Sequence, residues 1–180
     1  AATAIASTSR VMATQVQQLA PELPTAHVTP FGIDCQRFKP MPRQASQTIT
    51  IGTVKTLSPK YGIDLLLRAF AFVRGLLRHT DRQLAASLRL LLVGGGSDRA
   101  QLEALAVELG IGEFTTFVGA VPHDHVPAWL HQLDIYVAAS RNDSESFGVA
   151  VLEASACGLP VVVSDVGGLP EVVEHGRTGI

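Results

Sequence analysis

An α/β domain with a parallel sheet covered by helices on both faces is what this sequence predicts. Short apolar runs rich in Val, Ile and Leu alternate along the chain with longer segments of helical period. Glycine or polar turns punctuate most of the junctions between them. The composition agrees: of 180 residues, 47% are hydrophobic and 17% charged, enough to bury a full core without disulfide or metal staples.

Residues 48–54 form the first predicted strand, because Thr48, Ile49, Thr50, Ile51 and Val54 are all β-branched. Residues 63–78 follow as a helix, with Leu66, Phe70, Val73 and Leu77 close to a 3.6 period and therefore on its core face. Residues 88–93 are a second strand running into Gly94-Gly95-Gly96. A helix over about 98–109 comes next, with Asp98 as N-cap, Gln101 completing a capping box and Gly110 as a left-handed stop. Residues 114–118 are a third strand, 124–132 a short helix, and 135–138 a fourth strand leading into a polar loop over 140–146. Residues 149–156 are a helix closed by Cys157 and Gly158, and 161–163 a fifth strand. A last helix begins at 171–174, where Glu171 behind Pro170 suits a first turn.

Such alternation means crossover units, hence a Rossmann-like domain that binds ligands at the carboxyl ends of its strands. The loops after Val54, Val93, Val118, Ala138 and Val163 are expected to line one crevice. The segment before residue 48 differs: a helix over 9–19 is broken by Pro21 and Pro24, and a Pro-rich stretch follows through Pro40 and Pro42. Residues 1–26 read as a connector from a preceding domain, with an edge strand entering the domain of residues 27–180. Both ends are abrupt, as expected of a piece of a longer chain truncated at its C-terminus.

A formal net charge of −2 argues against a surface that neutralises a nucleic-acid backbone. No apolar run approaches the roughly 20 residues of a membrane span, and no secretory pattern opens the chain. Cys35 and Cys157 lack metal or disulfide-framework spacing, so a reducing, cytoplasmic setting is expected. Without a secretory signal, Asn142-Asp143-Ser144 reads as a chance match to a glycosylation triplet.

The sharpest chemical feature is Glu145 and Glu153, separated by seven residues across a loop-to-helix junction. Glu145 belongs to the loop, and Glu153 sits more than a turn inside a helix that Val151, Leu152 and Ala154 make apolar. A carboxylate so flanked ordinarily has a partner or ligand. The amides of Phe147, Gly148 and Val149 open that helix, where an anionic oxygen is favoured. Ionised carboxylates accept hydrogen bonds from vicinal hydroxyls, so the pair suits a sugar carried on a nucleoside diphosphate. The plainer alternative is a solvated loop glutamate and a surface helix glutamate.

The segment Glu145 to Glu153, followed by Cys157-Gly158-Leu159-Pro160-Val161-Val162, closely resembles the retaining glycosyltransferases of group 1, also called family 4, whose GT-B fold has two Rossmann domains. Phe31-Gly32-Ile33-Asp34, Phe38-Lys39-Pro40, Leu92-Val93-Gly94-Gly95-Gly96, Phe117-Val118-Gly119, Gly167-Gly168-Leu169-Pro170-Glu171 and Gly176-Arg177-Thr178-Gly179 continue the resemblance in order. It implies that this chain is the C-terminal, nucleotide-sugar-binding half of such an enzyme. By it, Glu153 would bond the ribose hydroxyls, and Glu145 would organise the transferred sugar beside the Phe147 and Gly148 amides. Gly95 and Gly119 would lie against the donor, the base resting near residues 119–123. No cofactor and no essential metal are implied.

The family sets an Arg and a Lys five residues apart against the diphosphate, and here the chain departs from the pattern. Lys55 and Lys60 keep the spacing, whereas Leu57 and Gly62 fit a register one residue later, which would put Thr56 and Tyr61 at the basic positions. The lysines are assigned to the diphosphate because a leaving diphosphate needs cations and nothing else in this loop supplies them. Two solvated loop lysines are the alternative.

Gly94-Gly95-Gly96 lacks the third glycine of a dinucleotide fingerprint, so it is read as permitting close backbone approach. His123 and His125 have no third ligand nearby and read as loop polar residues beside the crevice. The expected partners are a nucleotide sugar and, through the absent N-terminal domain, a sugar or lipid-linked acceptor, with peripheral membrane association of the full-length enzyme. Alone, the chain is expected to bind nucleotide weakly and turn over little. The alternatives are a sugar-nucleotide epimerase of the same fold, a nicotinamide-dependent oxidoreductase and a non-catalytic nucleotide-sugar-binding module.

Overall fold

The computed structural model describes residues 3–42, 46–141 and 145–180. The triplet of residues 142–144, part of the polar loop, therefore lies outside the described residues. The elements in chain order are β1 (Ala6–Ser7), α1 (Arg10–Leu19), β2 (His27–Val28), β3 (Ile49–Val54), α2 (Ile63–Thr80), α3 (Arg82–Ser87), β4 (Leu88–Val93), α4 (Arg99–Glu108), β5 (Thr115–Gly119), α5 (Val126–Leu130), β6 (Ile135–Ala138), α6 (Val149–Ala156) and β7 (Val161–Val163).

Strands β3 to β7 form one parallel sheet in the order β5-β4-β3-β6-β7. The chain leaves the central β3 toward one edge and returns to β6 on its other side, so the strand order reverses between β3 and β6. That reversal opens a crevice at their carboxyl ends. The sheet is buried on both sides, and β4 displays the reason. Leu90 and Leu92 pack with Leu66, Leu67 and Phe70 of α2 and Leu102 and Ala106 of α4. Leu91 and Val93 pack with Leu130 of α5 and Val151 and Ala154 of α6. Successive side chains point to opposite faces, so the stretch covered twice, Leu90–Val93, is apolar at every position.

Helix α2 departs from the expected core face. Leu66 and Phe70 are buried, but Val73 is 40% exposed and Arg74 only 3%. The Arg74 guanidinium stacks 3.2 Å from the centroid of Phe114 and donates from Nη1 to the carbonyls of Ala85 (2.6 Å) and Leu88 (3.3 Å). It thus seats α3, a helix that the apolar period did not disclose; its signal is Asp81, whose carboxylate accepts from the Leu84 amide at 2.9 Å.

The capping box before α4 is absent. Asp98 has helical rather than extended backbone and makes no cap bond; its carboxylate accepts from Ser97 Oγ instead. Gly110 does take the left-handed stop, at φ 67°. The helix expected over 124–132 begins as a tight turn, His123–His125, and is regular only over Val126–Leu130, with Pro127 in its first turn.

Residues 171–174 form no helix; a single tight turn covers Leu169–Glu171. Glu171 does serve a helix start, but that of α1: its carboxylate accepts from the amides of Arg10 and Val11, each at 2.9 Å. Residues 27–28 pair with β1 in a separate two-stranded sheet, because the His27 amide donates to Ile5 and not to the main sheet.

Candidate functional site

The site stands where the strand order reverses. From β3, the chain turns through Lys55 and Thr56 to a tight turn, Pro59–Tyr61, and enters α2 through Gly62. From β6, it runs through Ser140 and Arg141 and returns at Glu145 ahead of α6. The two loops are stapled together. The Arg141 amide donates to the Lys60 carbonyl at 2.7 Å, and its guanidinium reaches Asp64 at 2.6 Å. Gly62 lies so close to Ala139 that a Cβ would meet its carbonyl oxygen at 2.0 Å.

This staple brings Lys55 to Glu145. The ammonium lies 2.9 Å from Glu145 Oε2, with both side chains largely buried. Ser140 Oγ donates to the same oxygen at 3.1 Å. Ser140 is in turn held by Ser164, whose hydroxyl donates to the Ser140 carbonyl at 2.6 Å. The Gly167–Gly168 turn passes beneath: the Gly168 amide donates to the Glu145 carbonyl, and a Cβ on Gly167 would stand 2.2 Å from that oxygen.

Helix α6 begins after Gly148, which sits at φ 95°. Its first amides have no intrahelical acceptor. Phe147 contributes its backbone to this junction while its side chain is buried edge-on against Phe31. Glu153 is 7% exposed, and its Oε1 lies 2.8 Å from His123 Nε2. The expected apolar surroundings of Glu153 are present, and His123 is its partner. Burial raises the Cys157 thiol above its ordinary range, and the Glu153 charge adds to the rise.

Beside the lysine loop lies a cavity of about 530 Å³, lined in part by Lys55, Thr56, Gly94, Gly95, Gly96 and Ala120. The glycines lie against the lysine loop: a Cβ on Gly94 would meet the Lys55 carbonyl at 1.9 Å, and one on Gly96 the Leu57 carbonyl at 2.0 Å. Gly119 supports this corner through its carbonyl, which accepts from the Gly94 amide, while Ala120 and Val121 supply the lining. The loops after β3, β4 and β5 thus share this cavity. The loop after β6 meets the lysine loop through Lys55 and Glu145, and the loop after β7 joins it through Ser140 and Ser164.

Lys55 and Lys60 converge on one ring. Their ammonium groups stand 4.5 and 4.6 Å from the centroid of Tyr61. Lys60 is held above the ordinary lysine value, first by its hydrogen bond with Tyr61 and least by the Glu145 charge. Sequence reasoning did not find the roles of Tyr61, Ser140, Ser164 or the Asp64–Arg141 pair, since each depends on contacts between loops of different strands. For His123 a signal existed, its place in the loop after β5. Among the described residues, no three His, Cys, Asp or Glu gather as a metal site would require.

A profile of the family described as glycosyl transferases group 1 matches residues 36–180. The chain belongs to that family. It is 33% identical over 165 residues to the GDP-mannose-dependent alpha-(1-6)-phosphatidylinositol monomannoside mannosyltransferase of Mycobacterium tuberculosis, covering 84% of this chain and 41% of that protein. It is 34% identical to D-inositol 3-phosphate glycosyltransferase 1 of Catenulispora acidiphila, covering 98% of this chain and 46% of that one. The chain thus spans less than half of either relative.

Among solved structures, sucrose-phosphate synthase from Thermosynechococcus elongatus superposes on the whole chain with a TM-score of 0.83 at 25% identity, over 45% of its own length. HepE of Anabaena, in complex with UDP and glucose, gives a TM-score of 0.81 at 25% identity, over 99% of this chain and 49% of its own. The parallel α/β architecture expected from the sequence is that of the GT-B glycosyltransferases. Among the described residues, no helix of this group 1 chain is long and apolar enough to cross a membrane.

Proposed function

We propose that this chain is the donor-binding domain of a retaining glycosyltransferase that takes a hexose from a nucleoside diphosphate sugar. The observation that carries the reading is the pair of buried carboxylates flanking the start of α6, one joined to Lys55 and the other to His123. Glu153 would accept from the ribose hydroxyls, and Glu145 from the hydroxyls of the sugar. The diphosphate would lie between Lys55, Lys60 and the first amides of α6, at Phe147, Gly148 and Val149, with Gly95 and Gly119 shaping the adjoining cavity.

The bond from the anomeric carbon to the diphosphate oxygen breaks, and the acceptor hydroxyl attacks from the same face. Its proton passes to the departing diphosphate. The lysines and the amide dipoles stabilise the charge that develops there, so the mechanism needs no metal. Glu145 steadies the oxocarbenium-like sugar. Residues 1–26 connect to the domain that binds the acceptor, and catalysis requires both domains closed over the donor.

The relatives' names include a GDP-mannose-dependent enzyme and transferases named for inositol-containing molecules, and the HepE complex holds UDP and glucose. These names support a nucleoside diphosphate hexose as donor and a sugar or lipid-linked hydroxyl compound as acceptor. The enzyme works from the cytoplasm, peripherally on a membrane where its acceptor is lipid-linked. Ligand-observed NMR of this chain with UDP, GDP and ADP tests the donor site. Binding of at least one, weakened in Glu153→Ala, supports it; binding of NAD in their place overturns it.

A further inference from the structure

We infer that Tyr61 is the positioning residue that turns two separate lysines into one diphosphate clamp, an inference resting on the donor-site reading above. The later register of this loop places Tyr61 where the family resemblance implies a base. The aromatic ring there bears no charge, yet it collects two: Lys55 at 4.5 Å and Lys60 at 4.6 Å from its centroid. Ammonium groups repel each other, and each lysine stem loses rotamer freedom on being fixed. The ring's negative π-face attracts both, beside the hydrogen bond of Lys60 with Tyr61 and the ion pair of Lys55 with Glu145.

The ring can do this because its backbone is held. Tyr61 ends a tight turn in which its amide donates to the Ser58 carbonyl at 3.1 Å. Gly62, at φ 59°, then abuts Ala139, and the Arg141 amide secures the Lys60 carbonyl. Beneath, the half-buried ring packs on the core that includes Leu57 and Ile63. Lys55 is steadied from its other side by Glu145 at 2.9 Å, whereas Lys60 is exposed and is not ion-paired among the described residues. The ring is therefore the principal support of Lys60. In place of one guanidinium gripping two phosphate oxygens, the lysine loop gathers two point charges around one aromatic ring.

The test is the discrimination between nucleoside diphosphate and monophosphate by this chain, measured by NMR titration with UDP and UMP, GDP and GMP, and ADP and AMP. Tyr61→Leu should weaken diphosphate binding about fivefold or more while monophosphate binding stays within about twofold, and Tyr61→Phe, which keeps the π-face but loses the hydroxyl bonded to Lys60, should lose clearly less than Tyr61→Leu. Lys60→Gln removes one gathered charge without touching the ring and should show the same selective loss. An unchanged diphosphate preference in Tyr61→Leu or Lys60→Gln, or equal losses in the Leu and Phe variants, would overturn the inference. Absence of nucleotide binding by the unsubstituted chain would overturn the donor-site reading and this inference together.

Discussion

Lys55 and Glu145 meet at 2.9 Å although they belong to loops that follow different strands, β3 and β6. Each needs the other. Lys55 neutralises a carboxylate that α6 and the Gly167–Gly168 turn have removed from water, and Glu145 restrains a long side chain at the mouth of the crevice.

Removing one partner of this pair is expected to be worse than removing both. Lys55→Met leaves Glu145 unpaired in a poorly solvated place and should destabilise the fold by about 1–3 kcal/mol. The double variant Lys55→Met/Glu145→Gln should recover part of that loss in urea unfolding. Additive destabilisation would mean that the two groups do not interact.

His123 and Glu153 should respond differently to substitution. Glu153→Ala removes the proposed ribose acceptor and should weaken nucleotide binding about tenfold or more, the cost of about 1.5–3 kcal/mol for a charged hydrogen bond. His123 is 65% exposed and only orients that carboxylate, so His123→Ala should cost about threefold or less. Isothermal titration of both variants with the preferred diphosphate compares them, and a larger loss from His123 would reverse the assigned roles.

Gly167 has no room for a side chain. A Cβ would press on the Glu145 carbonyl at 2.2 Å, and φ is 54°. Gly167→Ala should therefore cost about 2–4 kcal/mol, combining backbone strain with displacement of the Glu145 loop. Gly176 also has positive φ, at 76°, but nothing lies within 4 Å of its would-be Cβ. Gly176→Ala should cost about 1 kcal/mol. Thermal unfolding of the two separates crowding from conformation.

Cys157 is buried and its thiol is raised from an ordinary value of 9.0, whereas Cys35 is exposed. The folded state holds the Cys157 proton after the unfolded state has released it. Its contribution to stability is therefore complete below pH 9.0 and declines as pH rises from there toward the higher folded value. Alkylation near pH 8 should label Cys35 in the folded chain and Cys157 only after denaturation. Rapid labelling of Cys157 in the folded chain would contradict its burial.

Glu171 should matter to a helix far from it in sequence. Glu171→Gln keeps an acceptor but loses the charge at the start of α1, and should cost about 0.3–1 kcal/mol. Faster amide exchange confined to α1 is the expected sign; unchanged exchange there would show that the carboxylate does not hold the helix.

The strands of the main sheet and the two long helices were legible in the sequence because their signals are local: β-branched runs, a 3.6 period and glycine stops depend on neighbours within a few residues. The glutamate pair was legible for the same reason, its spacing across a loop-to-helix junction being a local pattern. Two of the errors arose where a distant residue decided the outcome. Arg74 took the buried place expected of Val73 because the Phe114 ring lies there, and Glu171 capped α1 rather than a helix of its own.

By itself, the sequence determined the succession of the main-sheet strands, their parallel arrangement, and the place of Glu145, Lys55 and Lys60 in the loops or turns after strands and of Glu153 in the helix that follows. Only the tertiary structure decided which of these meet. Lys55 with Glu145 and both lysines with Tyr61 are contacts between loops or turns of the crevice, and His123 with Glu153 joins a turn to helix α6. Their geometry is set by the reversal of strand order and by backbone approaches such as Gly62 on Ala139 and Gly94 on Lys55. Charge and ring attractions act over a few ångströms, so they can be read only after the fold has brought those loops together.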